Sequence, residues 1–197
     1  MSEKYFTTKN LVKIGMLTAV ATVLFFIKIP LPFIAPPFYE LDFSGIAALI
    51  GGFAMGPIAG VLIEFLKNVI NLIIDGSITG GVGELSNFLT GCAYVLPASL
   101  IYKYNKNRKS ALWGILTGII IMTVFGYYSN SLVMLPTYAK ALKMPIEVIV
   151  SMGSQIHSSI DSVGDFVLFC VVPFNLIKGV LVGIVTFLIY KKIRKVL

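Results

Sequence analysis

The chain has 197 residues, of which 57% are hydrophobic and only 13% charged, with a mean hydropathy of +0.90. That composition excludes an ordinary soluble domain. The net charge of +7 does not point to nucleic acid, because the basic residues collect at the ends of apolar runs. At about 20 residues per membrane span, the sequence predicts a single integral membrane domain over residues 1–197. It is all-α, a six-transmembrane-helix bundle.

The first span is expected over residues 11–29. It follows Lys4 and Lys9 and contains Lys13, so the positive-inside rule places the N-terminus in the cytoplasm. The run is longer than a signal-peptide core and lacks an obvious small-residue cleavage site, so it is read as a retained span. Gly15, Ala19 and Thr22 form a small-residue stripe on it. Small residues admit close approach of another helix. Spacing alone leaves open whether that helix belongs to this bundle or to a separate membrane protein.

Residues 30–42 carry Pro30, Pro32, Pro36 and Pro37 among Leu31, Phe33, Ile34, Phe38 and Tyr39. Prolines at this density disfavour a helix and favour extended, polyproline-like backbone. A greasy, stiff segment between spans is read as a lid over a cavity in the bundle. Asp42 and Ser44 offer N-cap chemistry for a second, short span over residues 43–55, and Gly56-Pro57 marks a tight turn.

The third span, residues 57–74, carries Glu64, Lys67, Asn68 and Asn71, with Asp75 just beyond, at three- and four-residue steps. Glu64 and Lys67 are spaced to neutralise each other. Asn71 and Asp75 are placed toward the mouth of a cavity. The glycine-rich stretch 76–83 lacks the Lys-Ser/Thr ending of a phosphate-binding loop and is dismissed as one. Glu84 and Asn87 open the fourth span, residues 84–102, and Lys103, Lys106, Arg108 and Lys109 form a basic cytoplasmic loop.

The fifth span covers residues 111–135, with a polar and aromatic outer third at Tyr127, Tyr128, Ser129 and Asn130. Residues 136–165 are read as an outside loop with a short surface helix. Its His157 has no companion ligands, and Cys92 and Cys170 sit in apolar runs as small hydrophobes, so no metal site is expected. The sixth span, residues 166–190, ends at Lys191, Lys192, Arg194 and Lys195, which makes both termini cytoplasmic.

Within that last span stands Pro173-Phe174-Asn175-Leu176-Ile177-Lys178-Gly179. Asn175 and Lys178 share a helical face. A lysine near the centre of a span costs roughly 2.5 to 3.5 kcal/mol on insertion scales, so the pair is read as one wall of a polar pocket. The competing role is that Lys178 pairs with an acid and only holds helices together. Asp42, Asn71, Glu84, Asn87, Asn130, Asn175 and Lys178 all fall in the outer half or at outer ends, while the inner halves are almost purely apolar. That distribution describes a cavity open outward, suited to capturing a small molecule.

Several motifs resemble a known family. They are the Pro173–Gly179 stretch, Asn130 followed by Leu135-Pro136-x-Tyr138, Leu41-Asp42-Phe43-Ser44, Met55-Gly56-Pro57-x-Ala59-Gly60 and Lys67-Asn68-x-x-Asn71. Together they resemble the riboflavin-specific substrate-binding component (S component) of energy-coupling-factor (ECF) vitamin transporters, over nearly the whole chain. The resemblance implies a plasma-membrane protein that binds the vitamin from outside. It then works with a transmembrane coupling protein and two cytoplasmic ATPases. It implies no cofactor of its own, riboflavin being the transported ligand.

By the same resemblance Asn130, Asn175 and Lys178 would hydrogen-bond the polar edge of the flavin ring. Leu31, Phe33, Phe38, Tyr39 and Tyr128 would supply its slot. Gly15, Ala19 and Thr22 would dock on the coupling protein. An intramembrane enzyme is disfavoured, since no Ser-His pair or metal-ligand cluster lies within the bilayer. A solitary carrier would usually show two related halves or a polar path to the inner side, and neither is evident.

Overall fold

The computed structural model describes residues 7–77 and 79–196. Glu3 and Lys4 lie outside the described residues, as do the side chains of Arg194 and Lys195. The described chain is helical apart from its loops and one two-residue strand pair. Five continuous helical segments are long and apolar enough to cross a membrane: Thr8–Phe26, Pro57–Ile74, Val82–Tyr104, Arg108–Ala141 and Val163–Ile193. A sixth apolar helix, α2 (Gly45–Met55), is shorter.

Helix α1 (Thr8–Phe26) starts a turn earlier than residue 11, because the Thr7 side chain accepts the Asn10 N–H at 3.3 Å. It stops at Phe26, short of residue 29, where Pro30 disfavours helical backbone in the residue before it. Its buried stripe of Ile14, Leu17, Thr18, Ala21, Thr22 and Phe25 faces α2 and α3.

The segment after α1 is not the extended polyproline stretch expected. Strand β1 (Ile29–Pro30) pairs antiparallel with β2 (Glu40–Leu41), and the residues between fold into two turns. Ile34 N–H donates to Leu31 O at 2.9 Å and Tyr39 N–H to Pro36 O at 2.9 Å. Pro32 and Pro37 thus occupy the second position of each turn, where a fixed φ near −65° is favourable. The prolines curl this loop back instead of stretching it.

Helix α2 spans only about 16 Å at 1.5 Å per residue, too little for a hydrocarbon core of about 30 Å. Nearly all of it is buried among α1, α3 (Pro57–Ile74), α4 (Val82–Tyr104) and α9 (Val172–Val196). Glycine makes this close packing possible: a Cβ at Gly60 would press on Val95 and the Ala48 carbonyl. The turn from α2 to α3 needs Gly56, whose φ of 105° suits glycine alone, and Pro57 then opens α3.

Helix α5 (Arg108–Ser129) starts before residue 111 because Asn107 caps it, accepting Ser110 N–H at 2.8 Å. It does not end at Pro136. A π turn over Asn130–Met134 carries the chain into α6 (Leu135–Ala141). The same device recurs on the last span. Helix α8 (Val163–Phe166), capped by Ser162, runs through a π turn over Val167–Val171 into α9. Each π turn ends two residues before a proline, Pro136 and Pro173. Widening the turn moves the preceding carbonyls clear of the pyrrolidine ring, so proline bends the helix without breaking it. The loop from 136 to 165 therefore shrinks, and its surface helix is α7 (Ile146–Ser154).

Candidate functional site

Two apolar clusters frame the site. One surrounds α2 and includes Leu49, Phe53, Val95, Met122 and Val182. The other lies under the proline-rich loop and includes Leu41, Leu135, Phe166, Val171 and Phe174. Between them is a cavity of about 290 Å³ lined by members of both, together with most of the polar residues the sequence singles out.

Lys178 projects into this cavity from α9, and its ammonium donates to Asp42 Oδ2 at 2.6 Å. Asp42 sits where the loop meets α2 and its side chain is 2% exposed. Its Oδ1 accepts both the N–H and the hydroxyl of Ser44. Lys67 on α3 donates to Ser44 Oγ at 2.5 Å and lies 2.8 Å from Glu64 Oε2. The result is a buried row of alternating sign, Lys178–Asp42–(Ser44)–Lys67–Glu64, that sums to zero charge. Burial alone would push the Asp42 carboxyl up. The nearby Lys178 and Lys67 charges and the hydrogen bonds from Lys178 and Ser44 outweigh it, so Asp42 is held well below the usual carboxylate range.

A second arrangement holds the amides. Asn130, at the first position of the π turn, donates from Nδ2 to Gly126 O at 2.8 Å, and its Oδ1 accepts the Tyr39 hydroxyl at 3.0 Å. Asn175 packs its amide onto Gly126, where a Cβ would overlap it. The rings of Phe38 and Tyr39 lie 4.9 Å apart, Tyr39 is 5.5 Å from Phe174, and Phe38 is 6.4 Å from Tyr138. All four line the cavity, giving it an aromatic wall beside the polar one.

At the mouth, Lys28 lies 2.7 Å from Asp75 Oδ2 and 3.6 Å from Glu40 Oε2, tying the proline-rich loop to the end of α3. The hydrogen bond to Asp75 outweighs burial and holds the Lys28 ammonium above its ordinary pKa. Glu84 accepts from Ser77 at 2.8 Å and, with Asn87, lines the same mouth. Some polar groups have no protein partner: the Asn71 Oδ1, and the Glu64 Oε1 beyond its ion pair, are buried without a hydrogen bond. Both residues line the cavity. A polar ligand fits such atoms, since leaving them unpaired costs about 1 to 3 kcal/mol each.

Of the candidate binding residues, Asn130, Asn175, Lys178, Phe38, Tyr39, Asp42, Asn71, Glu84 and Asn87 come together around this one cavity. Leu31, Phe33 and Tyr128 do not. Leu31 packs beneath the loop in the second apolar cluster. Phe33 stands 73% exposed at the tip of a turn, and Tyr128 is 60% exposed. Tyr128 lies two residues before Asn130, about 200° around the helix, so an inward Asn130 turns it outward. Its ring meets Tyr127 edge to face at 5.3 Å. In the docking stripe, Gly15 and Ala19 are exposed and a Cβ at Gly15 would meet nothing. Thr22 instead joins the buried stripe, its hydroxyl bonded to Thr18 O at 2.9 Å. Lys178 does pair with an acid, yet it remains in the cavity wall.

Sequence reasoning passed over Glu64, Lys67, Lys28 and Glu40 as cavity residues. Glu64 and Lys67 do neutralise each other, but they do so against the cavity, with the Glu64 carboxylate seated over Gly91. Their cost inside a span was the available signal. For Lys28 and Glu40 there was none, because only the curl of the loop brings them to the mouth.

Five apolar helices of membrane-spanning length around a polar cavity roofed by a loop define a membrane-embedded binding or transport component. Comparison with known proteins agrees. The profile of the family "ECF transporter, substrate-specific component" matches residues 9–190. The riboflavin transporter RibU of Staphylococcus aureus is 34% identical, covering 96% of this chain and 92% of that one. The riboflavin transporter FmnP of Bacillus subtilis is 32% identical, covering 94% and 92%. The solved S component of a bacterial ECF transporter superposes with a TM-score of 0.74 at 35% identity, covering 94% of this chain and 95% of that one. The chain belongs to the family of ECF transporter substrate-specific components, and it is a transporter subunit, not an enzyme.

Proposed function

We propose that this chain is the high-affinity riboflavin-binding subunit of an ECF importer in the cell membrane. The observation that carries the reading is the pairing of Asn130, Asn175 and Lys178 with an aromatic wall in one cavity. A flavin needs a slot for its fused rings, donors for its carbonyls and a polar exit for its ribityl chain. The amides and the ammonium supply donors. The Asn71, Glu84 and Asn87 side of the mouth supplies the polar exit, and the riboflavin transport named for the relatives supports the same ligand.

In this reading α2 and the loop before it together make the sixth crossing, both termini are cytoplasmic and the cavity opens outward. The positive-inside rule supports that orientation: Lys9, Lys13, Lys103, Lys106, Arg108, Lys109, Lys191 and Lys192 gather at the end of the bundle away from the cavity. Such a subunit delivers its vitamin with a transmembrane coupling protein and two ATPases, the exposed Gly15 and Ala19 of α1 giving the coupling protein a place to approach.

The test is the purified protein's absorbance spectrum together with quenching of added riboflavin fluorescence. A yellow preparation, or saturable quenching, is expected; a colourless protein that leaves the fluorescence unchanged would remove the ligand assignment. In sealed vesicles, accumulation is expected only when the coupling protein, ATPases and ATP are present. ATP-independent accumulation by this chain alone would make it a solitary carrier.

A further inference from the structure

The end of the bundle opposite the cavity carries a second crevice, of about 220 Å³, between the start of α5 and the end of α9. It is lined by Arg108, Phe187, Leu188, Tyr190, Lys191 and Lys192. The Arg108 guanidinium lies over the Phe187 ring at 5.0 Å, which holds its otherwise mobile fork at the crevice. Among the described residues this end of the molecule carries no carboxylate. The described acids lie in the third span, around the cavity mouth, or in the 136–165 region beside it. Three cations therefore line one recess that no acid among the described residues enters.

The surroundings say what kind of anion fits. Leu188 lines the crevice and is exposed, and Ile184, four residues earlier on the same face of α9, is exposed as well. Trp113 stands exposed on α5, five residues or about 7.5 Å beyond Arg108. An exposed tryptophan at that height marks the headgroup level of a bilayer. The cations thus sit where lipid phosphates lie, and the apolar strip runs from them toward the hydrocarbon. A soluble anion would use the first feature and not the second.

We propose that this crevice binds the phosphodiester headgroup of an anionic phospholipid. Arg108, Lys191 and Lys192 hold the phosphate, and one acyl chain lies along Leu188 and Ile184. The site is separate from the vitamin cavity and does not depend on which ligand that cavity takes.

The test compares protein in nanodiscs of phosphatidylcholine with protein in nanodiscs that also contain phosphatidylglycerol. It reads the melting temperature by circular dichroism and the lipid retained in native mass spectra. Wild type is expected to melt higher and to keep phosphatidylglycerol in preference to phosphatidylcholine; equal melting and no preference overturn the proposal without any variant. The combined Arg108→Gln, Lys191→Gln and Lys192→Gln change should lower retained phosphatidylglycerol by about tenfold or more, since each interfacial cation contributes roughly a factor of five. Lys140→Gln with Lys143→Gln, at the other end, should leave it unchanged. Equal loss in both variants would reduce the effect to net charge and sink the site. Glycerol phosphate or inorganic phosphate that stabilises the protein as well as the lipid does would make it a free-anion site instead. Unchanged melting of the triple variant in pure phosphatidylcholine separates loss of lipid from loss of fold.

Discussion

An ammonium at position 178 is held 2.6 Å from the Asp42 carboxylate, so the lysine that faces the cavity also neutralises a buried acid. The two roles separate energetically. Removing one partner of a buried pair leaves an uncompensated charge, at a cost of about 3 to 5 kcal/mol. Here Ser44 and Lys67 still serve Asp42, which puts the cost toward the low end. Lys178→Met is therefore expected to lower the melting temperature of the empty protein, and adding Asp42→Asn should restore most of it. Flavin affinity behaves differently. A carbonyl left without its donor costs about 1 to 3 kcal/mol, and tenfold is about 1.4 kcal/mol. Riboflavin binding by fluorescence quenching should thus weaken by about tenfold in Lys178→Met, in the double variant, and in Asn175→Leu. Recovery of affinity along with stability in the double variant would show that Lys178 only holds helices together. The sequence announced this lysine by its cost in a membrane. It could not announce Asp42 as partner, because 136 residues separate the two.

At the scale of elements, α5 and α9 approach closely because glycines stand between them. Gly126 is the floor on which the Asn175 amide rests, and the same residue's carbonyl accepts from Asn130. Gly126→Ala would add a Cβ that overlaps the Asn175 amide, the far end of a flexible side chain that can swing away. The helix itself gains, since alanine is better than glycine in a helix interior by roughly 1 kcal/mol. The expected outcome is a protein that melts no lower yet binds riboflavin about tenfold more weakly, read by paired melting and quenching measurements. Unchanged affinity would mean that the Asn175 position is not critical. The π turns belong to this scale too. Pro136 marked a boundary in the sequence, where the loop was expected to begin, whereas Pro173 was placed inside the last span. Both helices continue, because a wider turn removes the clash that makes proline a helix breaker. Periodicity cannot register that, since one extra residue in a turn rotates everything beyond it by about 100°.

For the molecule as a whole, the distribution of charge fixes the expected orientation. A cysteine introduced near Lys106 should resist an impermeant thiol reagent in intact cells, and one near Lys143 should react. The native Cys92 and Cys170 are buried, so the background should be low. Reversed labelling would invert the bundle and place the cavity on the cytoplasmic side, ending the capture reading.

The sequence by itself determined what can be read from composition and short-range spacing. Apolar runs of span length gave the helices, basic clusters gave the anchors, and the costly Asn175 and Lys178 gave the polar wall. These follow from burial costs that act on each residue where it stands. Tertiary structure decided what depends on residues far apart in the chain. It set the alternating charge row from Lys178 to Glu64, the curl of the proline-rich loop that brings Lys28, Glu40 and Asp75 together, and the inward turn of Thr22. It also set the outward turn of Phe33 and Tyr128. Those outcomes hinge on the path of a turn and the angle of a neighbouring helix, and a side chain's own chemistry does not specify which way the backbone aims it.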